Sequence, residues 1–319
     1  MDNFTIRELL RNKGESLALE VLTGDETLDR TVSDPDVSSP GLALAGYTER
    51  FAGGRMQVLG ETEMSYLRSL DPALVEERLT RLLDQDIPAI IVTKGQEVPT
   101  ILVERASRKG IPVLRTVTAT KELYRRIKPF MEAALAPKKT LHGSLADVYG
   151  VGLLFVGESG IGKSECVLDL VERGHRLVAD DLVIASRRGA DLLMGMGHER
   201  QGHHMEIRGV GIIDVRALFG IRATRQQKRI EVVVQLEHWK NDARYDRTGL
   251  ERDETEILGV CIPRITIPLN PGKNITVVSE VVAMNHLLKY GGVDSAAEFD
   301  RNLKEAMRPV RDYLVEDYE

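Results

Sequence analysis

The stretch that decides the fold of the second half of this chain is VGLLFVGESGIGKS, residues 151–164. Its last eight residues, Gly157 to Ser164, satisfy G-x-x-x-x-G-K-[ST], the pattern of a phosphate-binding P-loop. The apolar run 151–156 predicts a buried strand, and Cys166–Val171 continues with the spacing of a helix. A strand, a glycine-rich turn and a helix in that order are what the motif requires.

The residue types in this loop suit a nucleotide bound with magnesium. Glycines let backbone N–H groups approach phosphate oxygens, and the start of the following helix attracts an anion. Lys163 would place a positive charge near the β- and γ-phosphates, and the Ser164 hydroxyl would bind Mg²⁺. The alternative is a glycine-rich turn with an exposed lysine. We therefore expect ATP and Mg²⁺ as ligands, with the nucleotide held by Gly157, Glu158, Ser159, Gly160, Ile161, Gly162, Lys163 and Ser164.

Two acidic residues follow the next predicted strand. Leu177–Ala179 is a short apolar run that ends at Asp180 and Asp181. Carboxylates at a strand end beside a P-loop bind magnesium or orient the attacking group. Adjacent residues on a strand point to opposite faces, so one of the two is expected to face the phosphates. The pattern leaves open which one, and a solvated acidic turn is the alternative.

A third segment, MEIRGVGIID at residues 205–214, combines charge with closely spaced glycines. Gly209 and Gly211 would weaken a strand unless the backbone comes close to another group. Glu206 and Arg208 just before them suggest a second catalytic segment that faces the phosphates. A bulged core strand is the other interpretation.

With the P-loop, the acidic pair and MEIRGVGIID in this order, the chain resembles the bacterial HPr kinase/phosphorylase family over its whole length. The resemblance implies a homohexamer and a P-loop kinase domain similar in fold to phosphoenolpyruvate carboxykinase. It also implies phosphorylation of a regulatory serine on HPr, a phosphocarrier of the sugar phosphotransferase system, and thereby control of carbon metabolism. The same enzymes remove that phosphate by phosphorolysis, taking inorganic phosphate and releasing pyrophosphate.

The resemblance also implies roles for individual residues. Asp181 matches the residue that takes the serine proton and returns it in the reverse direction, and Glu206 matches a second magnesium ligand beside Ser164. The implied catalytic set is His142, Lys163, Asp181 and Arg247.

The segment PLNPGK, residues 268–273, resembles the stretch tied to dephosphorylation. Asn270 and Lys273 stand there where the family often has arginines. Neither side chain has the planar pair of N–H donors through which the arginine guanidinium binds a phosphate.

Composition and length predict the number of domains, the kind of partner and the location of the protein. The 319 residues suggest two domains, and we expect an N-terminal α/β domain at 1–136 and a P-loop catalytic domain with C-terminal helices at 137–319. A net charge of -6 gives no support to nucleic-acid binding. We expect a cytoplasmic protein without membrane contact. The two cysteines are distant in sequence, and the sequence has neither a signal-peptide pattern nor an apolar run that could cross a bilayer.

Three local predictions remain to be compared with the structure. Lys121–Leu135 reads as a helix kinked or broken at Pro129, and Leu141–Ala146 as one strand. Residues 296–314 have helical spacing that Pro309 should kink or interrupt, and they form either a helix packed on its own domain or a docking helix for HPr. For the whole protein, a small-molecule kinase or an ATP-hydrolysing nucleotide switch is the rival interpretation.

Overall fold

The computed structural model describes residues 4–198, 202–239, 253–270 and 272–316, with side chains to residue 307. The chain divides into two compact units, Met1–Ala136 and Pro137–Glu319. Both units mix helices and strands, which confirms the α/β class predicted from sequence. Within the described ranges, no helix is long and apolar enough to span a membrane.

Helices and strands alternate along the first unit. In chain order they are α1 (Ile6–Lys13), β1 (Leu19–Val21), β2 (Val37–Ser38), α2 (Gly41–Leu44), β3 (Met56–Leu59), α3 (Glu61–Arg68), α4 (Pro72–Leu83), β4 (Ile90–Val92), α5 (Thr100–Arg108), β5 (Val113–Thr116) and α6 (Thr120–Ala134).

The strands of the first unit form one sheet in the order β1-β5-β4-β3-β2. β2 to β5 run parallel, and β1 is antiparallel to β5. Successive side chains point to opposite faces. Ile90 and Val113 therefore pack with α2 to α5, whereas Ile91 and Leu114 pack with α1 and α6. Because both faces are buried, the central strand β4 is apolar throughout in the sequence.

The helix α6 is continuous through Pro129, so the break considered from sequence does not occur. Proline in a helix interior removes one backbone N–H donor. Leu123 and Ile127 before the proline and Met131 after it are all buried against the sheet. Packing on both sides of the proline thus outweighs the loss of one hydrogen bond.

The second unit is richer in strands. In chain order its elements are β6 (Lys138–His142), β7 (Ser144–Val148), β8 (Val151–Val156), α7 (Lys163–Glu172), β9 (Arg176–Ala179), β10 (Leu182–Arg188), β11 (Leu192–Gly197), β12 (His204–Ile207), β13 (Gly211–Asp214), α8 (Val215–Phe219), β14 (Gln227–Arg229), β15 (Val232–His238), β16 (Asp253–Ile257), β17 (Val260–Leu269), α9 (Ile275–Tyr290) and α10 (Ser295–Glu316).

A six-stranded sheet forms the centre of the second unit, in the order β16-β17-β15-β8-β7-β9. On one face it packs with α7 and α9 around Phe155, Val167 and Val282. On the other face Leu154 packs with Val183 of the four-stranded sheet, whose order is β14-β11-β10-β6. The hairpin β12-β13 is separate from both sheets.

The direction of the strands brings several loops to one edge of the six-stranded sheet. β15 runs parallel to β8 and to β17, and both β8 and β9 are antiparallel to β7. The carboxyl ends of β8, β9, β15 and β17 therefore share an edge with the first residue of β7. Ligands of open α/β sheets bind beside the carboxyl ends of the strands.

Two predictions in this unit need correction. Leu141–Ala146 is not one strand, because the chain passes from β6 to β7, in a different sheet, at Gly143. A Cβ at Gly143 would lie 2.4 Å from the carbonyl oxygen of Phe155, so glycine is what permits this passage. The interruption expected at Pro309 is also wrong, since α10 is helical through that residue.

Candidate active site

The glycine loop joins β8 to α7 at the shared edge of the sheet. Gly157, Gly160 and Gly162 all have positive φ angles, of 150°, 79° and 101°. A Cβ on Gly157 would lie 2.5 Å from the carbonyl oxygen of Leu236 in the neighbouring strand β15. The conformation thus depends on glycine, and it gives the strand, loop and helix that the sequence predicts.

The N-terminus of α7 is open, and a lysine lies beside it. Among the described residues no side chain caps this helix, so the N–H groups of its first turn are left for an external acceptor. The Lys163 ammonium donates to the carbonyl oxygens of Gly157 and Glu158, at 3.0 and 2.9 Å. Positive charge therefore comes to the loop from both the helix dipole and the lysine.

Asp180 comes directly after β9 and contacts the start of α7. Its carboxylate accepts hydrogen bonds from the Ser164 hydroxyl, at 3.0 Å to Oδ1 and 2.9 Å to Oδ2. The Ser144 hydroxyl, at the start of β7, donates to Oδ1 at 2.5 Å. Burial raises the pKa of Asp180 above its ordinary value, while these hydrogen bonds act in the opposite direction.

Asp181 has a different environment from Asp180. Its side chain is exposed, and its backbone has φ of +63°, in the left-handed region that non-glycine residues rarely adopt. Its carbonyl oxygen accepts from the Gly143 N–H at 3.0 Å. His142 pairs with Leu182 across β6 and β10, so the structure places the exposed His142 beside Asp181. The turn thus separates the buried carboxylate of Asp180 from the exposed carboxylate of Asp181.

The segment MEIRGVGIID forms the hairpin β12-β13, not a bulged core strand. Gly209 has a positive φ angle in the turn between the two strands. Met205 is buried in the core with α7, which fixes the hairpin beside the loop. The Arg208 guanidinium lies against Gly160, where an added Cβ would be 2.4 Å from Nη2. Glu206 is exposed on β12 of the same hairpin.

The remaining predicted residues fall in two groups. Lys273 lies past the end of β17, at the same sheet edge as the glycine loop, and its ammonium donates to the Pro268 carbonyl at 3.0 Å. Its N–H donates to the carbonyl oxygen of Asn270 at 3.1 Å. Arg247 lies outside the described residues.

Sequence reasoning missed two parts of this arrangement. Asp180 was one of an acidic pair but was not included in the predicted site, and Ser144 carried no signal at all. In the described part of the chain, no three His, Cys, Asp or Glu side chains cluster as a metal site would require. The oxygen atoms near the loop come instead from a mixture of hydroxyls and carboxylates.

Fold and site together define an α/β protein whose second unit presents an anion-accepting glycine loop with a buried carboxylate beside it. Two family descriptions match the chain: "HPr Serine kinase N terminus" over residues 4–131 and "HPr Serine kinase C-terminal domain" over residues 133–303. The chain belongs to the HPr serine kinase family.

Three relatives, each named HPr kinase/phosphorylase, are similar along most of their length. The one from Chloroherpeton thalassium is 47% identical, over 91% of this chain and 85% of its own. The one from Geobacillus kaustophilus is 45% identical, over 92% and 94% of the two chains. The one from Halalkalibacterium halodurans is 44% identical, over 96% and 98%.

Proposed function

We propose that this chain is a bifunctional HPr kinase/phosphorylase that controls carbon metabolism through HPr. In one direction it transfers the γ-phosphoryl group of ATP to a regulatory serine of HPr. In the other it removes that phosphate with inorganic phosphate and releases pyrophosphate. The observation that carries the proposal is the contact of Ser164 with the buried Asp180 at an open glycine loop, in a chain 44% to 47% identical to proteins of that name.

We assign the chemistry to the second unit, residues 137–319, as a P-loop kinase domain similar in fold to phosphoenolpyruvate carboxykinase. The order of β8, loop and α7 supports this assignment, as does the convergence of strand ends at the loop. Residues 1–136 form a separate α/β domain in this proposal.

Ser164 and Asp180 suit a magnesium ion. Both offer oxygen atoms, the donors that Mg²⁺ prefers. Asp180 is only 8% exposed, and among the described residues no lysine or arginine pairs with it, so a cation would offset the cost of burying its charge. Glu206 is the further ligand in this proposal. When bound, Mg²⁺ would balance the negative charge of the β- and γ-phosphates.

Protein groups perform the remaining tasks. The loop N–H groups and Lys163 hold the phosphates, and Arg208 and Arg247 add positive charge. Asp181 orients the serine hydroxyl and takes its proton as the serine oxygen bonds to the γ-phosphorus and the bond to ADP breaks. In phosphorolysis an oxygen of inorganic phosphate attacks the phosphoserine phosphorus, and Asp181 returns the proton to the departing serine oxygen. His142, beside Asp181, completes the catalytic set.

We propose that the protein acts in the cytoplasm as a homohexamer that binds HPr, without nucleic acid or membrane. An apolar face of α10 supports a docking role: Phe299, Leu303 and Met307 are 69%, 48% and 60% exposed. Removal of residues 295–319 should raise the KM for HPr and leave ATP affinity unchanged. An unaltered KM would exclude the docking role.

The test uses the purified chain, γ-labelled ATP, Mg²⁺ and HPr, followed by inorganic phosphate. We expect labelled phosphoserine on HPr in the first step and labelled pyrophosphate in the second. ATP hydrolysis that is independent of HPr would instead indicate a nucleotide switch. Transfer of the label to a small molecule would indicate a small-molecule kinase.

A further inference from the structure

Ser144 is a polar residue in a fully buried position. It begins β7 and is 0% exposed, so its hydroxyl can reach neither substrate nor solvent. A buried hydroxyl is costly unless it is hydrogen-bonded. Its partner is Oδ1 of Asp180, at 2.5 Å. Asp180 is therefore the group through which the Ser144 hydroxyl would act on the reaction.

The hydrogen bonds around Asp180 fix the direction of its carboxylate. Ser144 donates to Oδ1 from the protein interior, and Ser164 contacts both oxygens from the loop side. A carboxylate has about four acceptor positions, so the bond from Ser144 leaves Oδ2 available beside Ser164. Without the Ser144 hydroxyl, rotation of the carboxylate would no longer be restrained from the interior.

We infer that Ser144 is a positioning residue that holds Asp180 in the orientation needed to bind a divalent cation together with Ser164. The inference deepens the proposed function, since it rests on the magnesium role proposed there for Asp180. A residue that hydrogen-bonds a metal ligand commonly contributes about 10- to 100-fold to metal affinity.

The experiment measures metal affinity without turnover. Mn²⁺ with ADP replaces Mg²⁺ with ATP, and free Mn²⁺ is followed by electron paramagnetic resonance in the full chain. Ser144→Ala should weaken Mn²⁺ affinity about tenfold. Ser144→Cys, which keeps the volume but donates weakly, should weaken it similarly.

A matched control is Ser186→Ala. Ser186 is also buried in the second unit, at 2% exposure, but its hydroxyl has no hydrogen-bond partner among the residues that the structure describes. Its removal should leave Mn²⁺ affinity unchanged. Thermal unfolding of each variant shows that the comparison is made between folded proteins.

Three results would overturn the inference. Parental Mn²⁺ affinity in Ser144→Ala, with binding lost in Asp180→Asn, would dismiss the role of Ser144 and leave the proposed metal site intact. Parental affinity in Ser144→Cys but not in Ser144→Ala would identify a packing effect. Parental affinity in Asp180→Asn would remove the metal role of Asp180 from the proposed function and the inference with it.

Discussion

Each unit places a glycine before a helix that follows a parallel strand, but the two helices begin differently. In the first unit the Gly60 N–H donates to Oε2 of Glu63 at 2.9 Å. Glu61, in the same first turn of α3, pairs with Lys94. Among the described residues of the second unit, no side chain caps α7. A carboxylate of the protein thus binds the backbone just before α3, whereas the start of α7 is left for an external anion.

The difference lies in the glycine and not in the glutamate. Glu165 has the same place in α7 that Glu63 has in α3, the third helical residue. Gly60 is extended, with φ of -88° and ψ of -167°, and its N–H meets Glu63. Gly162 is left-handed, with φ of 101°, so its N–H takes another direction. The backbone conformation of the glycine before the helix therefore distinguishes the two helix starts.

The largest expected effect separates an acidic residue of the candidate site in the second unit from one at the start of α3 in the first. Asp181→Asn should lower both kinase and phosphorolysis rates on the order of 10⁴-fold, because the amide cannot take the serine proton. ATP should still bind, as the loop is unchanged. Glu61→Gln, in the capped start of the first unit, should leave both rates unaltered. Steady-state rates with HPr and nucleotide titrations measure these effects, and full activity in Asp181→Asn would refute the assignment of the base.

Next in size is the contrast between two lysines. Lys163→Met should reduce the kinase rate on the order of 10³-fold, since it removes the charge that the proposed function places at the transferring phosphoryl group. Lys94→Met, whose ammonium pairs with Glu61, should have no effect on turnover. If both variants lost activity equally, the distinction between an open and a capped helix start would fail.

Local pattern explains which parts of the fold were predictable. Val151–Val156 is apolar throughout and is followed by glycine, so strand, loop and helix were evident from sequence. In the MEIRGVGIID segment, the sequence could not separate a bulge from a hairpin turn at Gly209, because positive φ suits both. The polar strand β14 (Gln227–Arg229) has no apolar alternation and was missed.

The candidate site was predictable only where residues are neighbours in sequence. Lys163 and Ser164 belong to one motif. Ser144 and Asp180 meet because β7 lies between β8 and β9, and no spacing in the sequence encodes that strand order. Which carboxylate of the pair faces the loop depends on the left-handed turn at Asp181.

A smaller effect is expected for the arginine that lies over the loop. Arg208→Gln should lower kcat/KM for ATP about 10²-fold, because its guanidinium lies against Gly160 and, in the proposed function, adds charge near the phosphates. The control is Arg115→Gln. Arg115 belongs to the first unit and pairs with Glu20, so this change should leave kcat/KM for ATP unaltered. Unchanged kinetics in Arg208→Gln would assign the hairpin a purely structural role.

The smallest effect concerns the caps themselves. Glu63→Ala should lower the free energy of unfolding by about 1 kcal/mol, because the Gly60 N–H loses its acceptor and the start of α3 loses a negative charge. Glu165→Ala, at the equivalent position of α7, should change it by less than about 0.5 kcal/mol, since no such bond is lost there. Urea unfolding of the two variants measures the difference. An equal loss of unfolding free energy in the two variants would mean that the two helix starts are capped alike. The left-handed conformation of Gly162 would then not distinguish them.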